Sequence, residues 1–266
     1  MMKLEIQALS KVGLVRDNNE DMVSVGGVLL RDEELALTVE LDEESQFHLL
    51  VSDGMGGHEH GERASQGLLE YLGECFKEGR CRPETMDEDL RFHVHEFSDR
   101  LNRQAAEEGQ QRPMGCTLTG VVWSQGKVFL VNAGDSRTYR FRNGILRQLT
   151  QDETVRGLTG DPGDSKALLN CIGAGGEGLL QVEDLTGRIG EGDLLLICSD
   201  GLTDMLSDEE IEQLMDDTSL SVDALYEAAC ERGGVDNVSM IVAKISVLYK
   251  NNQHEQSHQQ CFPQGI

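Results

Sequence analysis

Apolar and polar residues alternate at the N-terminus, where Leu4, Ile6 and Ala8 fall on one face of the chain. The alternation stops at Gly13, and apolar residues return over 23–28. A period of two residues is typical of a strand with one buried face. This region therefore predicts two strands joined by a polar turn.

An acidic run follows these strands. Residues 31–46 contain seven acidic residues and one arginine, and residues 47–51 are then almost entirely apolar. Because charge of one sign favours solvent, we interpret the run as a solvated loop or hairpin tip and assign it no chemistry. The apolar segment after it predicts a buried strand.

Two amphipathic helices are predicted after a glycine-rich turn over 54–61. In both segments apolar residues recur at the spacing of one helix face. The first helix carries Ala64, Leu68, Leu72, Cys75 and Phe76, and the second carries Leu90, Val94, Phe97, Leu101 and Ala105.

The second half of the chain returns to strand patterns over 117–141. Gln125 with Gly126, and Asn143 with Gly144, are typical hairpin turns. The pattern then predicts a buried strand over 194–198, one or two helices over 208–232 and a closing strand over 238–247.

The segment 150–190 is rich in Gly, Asp and Thr and has little periodicity. We interpret it as a mobile surface flap rather than core, and it could cover a site. Strands at both ends of the chain with helices between them favour a layered α+β fold, with antiparallel sheets face to face and helices outside. We assign residues 1–248 to one domain and the polar residues 249–266 to a disordered tail.

Composition narrows the possible partners. The net charge of -25 makes the chain repel polyanions, so nucleic acid is excluded as a general partner. No apolar stretch approaches the roughly 18 residues of a membrane helix, so no membrane insertion is expected. The seven cysteines show no paired spacing, which favours reduced thiols and a cytoplasmic protein.

Acidic residues lie at the ends of three apolar segments. Asp53 and Asp200 follow predicted buried strands, and Asp236 precedes one. A charge at such a position is costly unless it is paired or bound to a cation. Each position alone fits an ordinary turn, but all three, together with Glu20 and Asp21, favour a shared acidic site.

The residue types in this site indicate its chemistry. Oxygen ligands suit hard divalent cations such as Mg²⁺ and Mn²⁺, and the sequence lacks a clear His or Cys set for zinc. A pair of such cations activates water and neutralises a phosphoryl group. Arg16 is a guanidinium suited to binding phosphate, so the residues predict hydrolysis of phosphate esters.

From about residue 13 to 242 the sequence resembles the PP2C family, the metal-dependent PPM protein phosphatases, in its bacterial form. A single motif could arise by chance, but seven motifs in the order of the family are specific. The motifs are GLVRDNNED at 13–21, VSDGMGGHEHGERAS at 51–65, GCT at 115–117, VNAGDSRTYRFRNG at 131–144, LTQDET at 149–154, ICSDGLTD at 197–204 and DNVSMIV at 236–242.

The resemblance implies a four-layer αββα fold, in which a β-sandwich lies between helices and a cleft at one end holds two or three Mn²⁺ or Mg²⁺ ions. Asp53 would bridge two of the ions, and the Gly54 carbonyl would ligate the first. Asp200 and Asp236 would ligate the second ion. Asp135 is a candidate, with Asp200, for a third ion.

The resemblance also implies the reaction, which is hydrolysis of phosphoserine and phosphothreonine in proteins. Water activated by the ions would attack phosphorus in one displacement, with Asp53 and Arg16 as catalytic residues and Arg16 binding the phosphate. Glu20 and Asp21 would hold metal-bound waters. Phosphorylated proteins, and a bacterial Ser/Thr kinase that the enzyme opposes, are the implied partners, and we expect a monomer.

Two positions depart from the family pattern. Met55 stands where some members carry a histidine that protonates the leaving oxygen, which leaves His58, His60 or solvent as the donor. Glu153 replaces part of an Asp-His pair, and we expect it to affect contacts of the flap rather than the metals.

Two other readings remain open. One is a catalytically silent relative that binds phosphoproteins, against which the full set Asp53, Asp200 and Asp236 argues. The other is an acidic calcium-binding or scaffolding protein. That reading has no EF-hand loop to support it and leaves Arg16 unexplained.

Overall fold

The alternating segments form the strands of two facing sheets in a computed structural model, which describes residues 1–56, 59–111, 113–161, 163–216 and 221–247. The strands are β1 (Met2–Lys11), β2 (Met22–Val25), β3 (Val28–Leu30), β4 (Glu33–Leu41), β5 (Gln46–Ser52), β6 (Gly54–Met55), β7 (Gly115–Cys116), β8 (Leu118–Ser124), β9 (Lys127–Ala133), β10 (Arg137–Arg142), β11 (Ile145–Gln148), β12 (Ile172–Gly173), β13 (Gln181–Asp184), β14 (Leu194–Cys198) and β15 (Val238–Val247).

The helices lie where the sequence has its amphipathic segments. Both long helices and the pair over 208–232 are therefore confirmed, and a single extra turn follows β14. The helices are α1 (Glu59–Lys77), α2 (Met86–Glu107), α3 (Val155–Thr159), α4 (Asp200–Thr203), α5 (Asp208–Asp216) and α6 (Val222–Glu231).

The two large sheets pair antiparallel throughout. One has the order β11-β10-β14-β15-β1-β4 and the other β13-β9-β8-β5-β2-β3, while β12, β7 and β6 form a small third sheet. Apolar residues from both large sheets, such as Leu4, Leu49 and Ile241, are fully buried between them. Trp123 also belongs to this core.

Helices cover the outer faces of both sheets. The apolar faces of α1 and α2 share one core with the sheet that contains β8 and β9, and this core includes Leu72, Val94 and Val122. Helices α4, α5 and α6 form a second core with β10, β14 and β15. The predicted α+β arrangement of four layers, helix, sheet, sheet and helix, is confirmed.

The predicted hairpin turns are also observed. Gln125 and Gly126 have φ angles of 48° and 75°, and Asn143 and Gly144 have 52° and 76°. Positive φ at both central residues is the two-residue turn that matches the twist of antiparallel strands, and it favours Asn and Gly.

The interpretation of residues 31–46 as a loop or hairpin tip is wrong, because most of this run is strand β4. The strand pairs with β1 over all nine of its residues. Leu35, Leu37 and Val39 alternate with polar residues and pack against the sandwich core. The large number of acidic residues in the run obscured this alternation of period two in the sequence.

The segment 150–190 is not entirely surface. Ile172 and Leu180 are buried under α2, and Leu185 and Ile189 are buried in the sandwich. Its short strands explain the lack of periodicity in the sequence. The predicted tail 249–266 lies outside the described residues, and no helix in the described part is long and apolar enough to cross a membrane.

His48 makes the stability of this fold depend on pH. The side chain is 5% exposed, and its Nε2 lies 3.0 Å from the Ser24 hydroxyl. Burial lowers the pKa of His48 from 6.5 to about 4. The unfolded chain therefore takes up a proton first as pH falls, and we expect a loss of about 3 kcal/mol of unfolding free energy between roughly pH 6.5 and 4.

The measurement is urea unfolding at a series of pH values for the wild type and His48→Gln, which should lose this part of the pH dependence. Leu72→Ala is the control, because it opens a cavity in the same helix-covered core without removing a titratable group. It should lower stability equally across the range. An unchanged pH dependence in His48→Gln would contradict the assignment.

Candidate metal centre

A cleft of about 420 Å³ opens at the end of the sandwich where β5 and β14 end and β15 begins. Seven of the eight residues predicted for the site line it, and Asp21 lies behind it. The lining residues are Arg16, Asn18, Glu20, Asp53, Gly54, Met55, Gly56, Thr117, Asp135, Lys166, Leu168, Asp200, Asp236 and Asn237.

Asp53 is fixed by the backbone on both sides. Its N–H donates to Thr117 Oγ1 at 3.0 Å, and its carbonyl accepts from the Thr117 N–H at 2.8 Å. At Gly54, a Cβ would lie 2.3 Å from the Gly61 carbonyl oxygen and 2.4 Å from that of Glu20. Only glycine fits here, which is the physical reason for the Asp-Gly pair.

The Asp200 and Asp236 turns pack against each other. A Cβ on Gly201 would lie 1.9 Å from the Asn237 carbonyl oxygen, so the second Asp-Gly pair is also required by close approach. The Asp236 carboxylate accepts a hydrogen bond from Arg16 Nη2 at 2.6 Å. Arg16 remains half-exposed at the rim of the cleft, with 54% of its side chain accessible.

Asn237 organises the turn that carries Arg16 and Glu20. Its Oδ1 accepts from the Glu20 N–H at 2.9 Å. Its Nδ2 donates to the Val12 carbonyl at 3.1 Å and to the Asn18 carbonyl at 2.8 Å. One amide side chain thus connects both ends of the turn to β15.

Asp21 is buried beneath the cleft, with 1% of its surface exposed. Its Oδ2 accepts from the Ser199 hydroxyl at 2.8 Å, and Arg31 Nε donates to its carbonyl at 3.0 Å. The other carboxylate oxygen is buried and has no hydrogen-bond partner among the described residues. Burial, followed by the charges of Asp200 and Asp236, raises the pKa of Asp21 to about 7.

Burial also raises the pKa of three carboxyl groups that line the cleft, those of Asp53, Asp135 and Asp200. Burial, then the Asp21 and Asp200 charges, raises the pKa of Asp53 well above its ordinary value. Burial likewise raises the pKa of Asp200, and it raises that of Asp135 to about 7 with help from the Asp200 charge. Asp53 and Asp200 share a hydrogen bond. The cluster therefore concentrates negative charge in a low-dielectric site.

These residues fit hard divalent cations by their chemistry. They are oxygen donors, and one buried oxygen of Asp21 has no partner. Within the described ranges, no three acidic, His or Cys side chains already form a finished ligand set. Instead, Asp53 is paired with Asp200 and Asp236 with Arg16, which are contacts that bound cations would replace.

Sequence reasoning missed the polar residues that complete the cleft. Asn18, Thr117 and Asn237 belong to the motifs, but no role was assigned to them from the sequence. For Asn18 and Asn237, their position as polar residues within motifs that carry aspartates predicted to bind metal is a signal that could have identified them. Lys166 comes from the segment predicted as a flap and forms an ion pair with Asp204. Lys166 lies in a segment without hydrophobic periodicity, so the sequence pattern could not predict its place in the cleft.

The two departures from the family pattern have different outcomes. Glu153 accepts hydrogen bonds from the Gly134 N–H, Asn170 and Gln181, so it makes flap contacts as predicted. Among the proton donors considered, His58 lies outside the described residues. His60 lies in the first turn of α1 and does not line the cleft, although its Cβ lies beside Gly56, which does.

The comparisons with known proteins agree with this geometry. The sequence profile of the protein phosphatase 2C family matches residues 29–232. The serine/threonine phosphatase stp of Listeria monocytogenes is 31% identical over an alignment of 254 residues, and the match covers 90% of this chain and 94% of the relative. The chain belongs to the protein phosphatase 2C family.

Solved structures of serine/threonine phosphatases are also similar to this chain. The catalytic domain of the serine/threonine protein phosphatase PstP, in complex with two manganese ions, superposes with a TM-score of 0.73. It is 31% identical, and the match covers 93% of this chain and all of that domain. Stp1 from Staphylococcus aureus gives a TM-score of 0.74 at 26% identity, covering 92% of this chain and 96% of that one.

Asn237→Asp should damage the site through the turn. The carboxylate still accepts from the Glu20 N–H, but it cannot donate to the Val12 and Asn18 carbonyls. We expect a loss of about 2–3 kcal/mol in unfolding free energy, because two buried acceptors lose their donor. Mn²⁺ affinity, measured by calorimetry, should fall as well.

Asn102→Asp is the matched control. Asn102 bonds the backbone of Gly175 and Gly176 in the same two-sided way, but lies on α2 outside the cleft. This variant should lose stability without losing Mn²⁺ affinity. Equal Mn²⁺ affinity in both variants would show that Asn237 does not organise the site.

Proposed function

We propose that the chain is a metal-dependent protein phosphatase that hydrolyses phosphoserine and phosphothreonine with two bound Mn²⁺ or Mg²⁺ ions. The observation that carries this proposal is the convergence of Asp53, Asp200 and Asp236, from three distant segments, in one cleft beside a guanidinium. Asp21, buried below them with one unpartnered oxygen, adds to it.

Asp53, the Gly54 carbonyl, Asp200 and Asp236 are the residues that would hold the two ions, and Asp135 with Asp200 would hold a third. When bound, the ions supply Lewis-acid activation of water and neutralise phosphoryl charge. The positive charge of the ions would allow the buried carboxylates of the cluster to remain ionised together.

The remaining roles belong to the chain itself. Arg16 binds the phosphoryl oxygens and stabilises the charge that spreads over them during displacement. Glu20 and Asp21 orient waters at the back of the cleft by accepting hydrogen bonds. Lys166 lies at the same cleft, where a second positive charge favours a phosphorylated segment.

The biological setting follows from the relatives, which are bacterial Ser/Thr phosphatases. The substrates would be proteins phosphorylated by a bacterial Ser/Thr kinase, and the enzyme would act as a monomer in the cytoplasm. The six cysteines that the structure describes are all free thiols, which supports a reducing compartment.

Asp200→Asn and Asp236→Asn should each abolish turnover. The test is hydrolysis of p-nitrophenyl phosphate and a phosphothreonine peptide with Mn²⁺, with Mg²⁺ and with chelator. Activity should require the metal and fall by at least about a hundredfold in either variant, because each loses an anionic ligand at the reacting centre. Asp99→Asn, on exposed α2, should keep full activity.

A lack of phosphatase activity tests the proposal only if the protein is folded. Thermal unfolding and Mn²⁺ calorimetry therefore accompany every variant. A wild-type protein that is folded and binds Mn²⁺ but releases no phosphate would overturn the proposal. It would favour the alternative of a catalytically silent phosphoprotein-binding regulator.

Arg16→Ala should weaken substrate binding more than it slows turnover at saturation. The variant removes the bidentate donor and leaves the metal-type carboxylates in place, so KM should rise by about tenfold or more. Arg16→Lys should lie between the two, because an ammonium keeps charge but not the planar fork. Arg103→Ala on α2 is the control for loss of an exposed arginine, and an unchanged KM in Arg16→Ala would exclude phosphate binding by Arg16.

A further inference from the structure

Strand β4 is a long free edge of its sheet. It pairs with β1 along its whole length, and no described strand pairs with its other side. At about 3.3 Å per residue, the free edge runs for roughly 30 Å. The outward backbone donors and acceptors of such an edge are a template for another strand.

The two faces of β4 differ in chemistry. Glu34, Ala36, Thr38 and Glu40 lie on the outer face and are exposed. The opposite face has half-buried aliphatic residues that pack at the margin of the sandwich core. A strand added to this edge would therefore meet carboxylates and small residues on one face and aliphatic side chains on the other.

A pocket lies where β4 ends. It has a volume of about 280 Å³ and is lined by apolar residues, among them Met2, Leu41, Trp123 and Val128, together with the polar residues Asp42, Glu43 and Ser45. Trp123 is 4% exposed, and its indole N–H has no acceptor among the described residues. That nitrogen is itself buried, so the pocket offers a ligand the apolar surface of its lining rather than this donor.

We propose that β4 and this pocket form a docking surface, here named the β4 groove, for an extended protein segment. The segment alternates basic and aliphatic residues and ends in an apolar side chain that enters the pocket. Its backbone would continue the sheet, its basic residues would face Glu34 and Glu40, and its aliphatic residues would cover the inner face.

A second copy of the chain is a poor occupant of this edge. Antiparallel self-pairing centred on Leu37 would place Glu34 directly opposite Glu40 on both sides of the two-fold axis. Like charges directly opposite each other are destabilising, and two chains of net charge -25 repel each other over longer range. Glu34 is partly balanced by Lys11 on β1, but Glu40 belongs to no ion pair found within the described residues.

Edge charges commonly protect a sheet from aggregation, and that role accounts for the glutamates alone. It does not account for the pocket at the end of the same strand. The pocket lies beside Met2 and Val247, whereas the carboxylates proposed to bind the metal ions lie beyond the other ends of β1 and β15. A segment in the β4 groove would leave the cleft open.

The test uses the full chain and a labelled nine-residue peptide in which Lys and Val alternate, ending in Leu. Fluorescence anisotropy should show saturable binding, and hydrogen exchange of residues 33–41 should slow in the complex. A peptide of the same composition with its lysines in one block should bind at least about tenfold more weakly, since it cannot match both faces of the edge. Equal binding of both peptides would overturn the proposal, because it would indicate charge attraction alone.

Variants locate the interaction. The double variant Glu34→Lys and Glu40→Lys, and separately Trp123→Phe, should each weaken binding of the alternating peptide. The double variant Glu84→Lys and Glu88→Lys makes the same charge change at exposed positions near α2 and should bind normally. Loss of binding in this control, no binding by the wild type, or a wild-type dimer in sedimentation that blocks the peptide would each contradict the assignment.

Discussion

Mutual repulsion among buried carboxylates is the constraint on which the rest of this structure depends. Asp21, Asp53 and Asp200 approach one another at the end of a sandwich whose interior is apolar, and burial raises the pKa of all three. Such a cluster is stable only if rigid elements force its members together and cations compensate their charge. The two sheets supply the first condition, and the phosphatase chemistry uses the second.

The rigid frame is built from small contacts rather than large ones. Gly54 and Gly201 allow backbones to approach closer than any side chain would permit, and each glycine follows an aspartate of the cluster. Asn237 and Thr117 then hold the surrounding loops by hydrogen bonds to backbone groups. Close backbone packing therefore requires the glycine of each Asp-Gly pair. The same packing places the aspartate carboxylates in the cleft, where they can take part in the reaction.

Local periodicity explains which parts of the fold could be predicted. The sequence predicts α1 from the helical period of its one buried face, and β15 from a short apolar run that is buried on both faces. β4 was misread, because seven acids over 31–46 outweighed the alternation of its aliphatic residues. In the site, the aspartates could be found from their strand ends, whereas the Asp236 contact with Arg16 could not, since it joins residues 220 positions apart.

The cleft and the pocket of the β4 groove lie at opposite ends of the same sheet, and β4 itself runs from the cleft end to the pocket end. The cleft concentrates carboxylates where cations and Arg16 can use them, while the acids of β4 remain exposed on an edge. The high negative charge of the chain therefore has two separate physical origins. A basic segment bound at β4 would be attracted by the acids on the exposed edge, and its apolar end would lie a full strand length from the cleft.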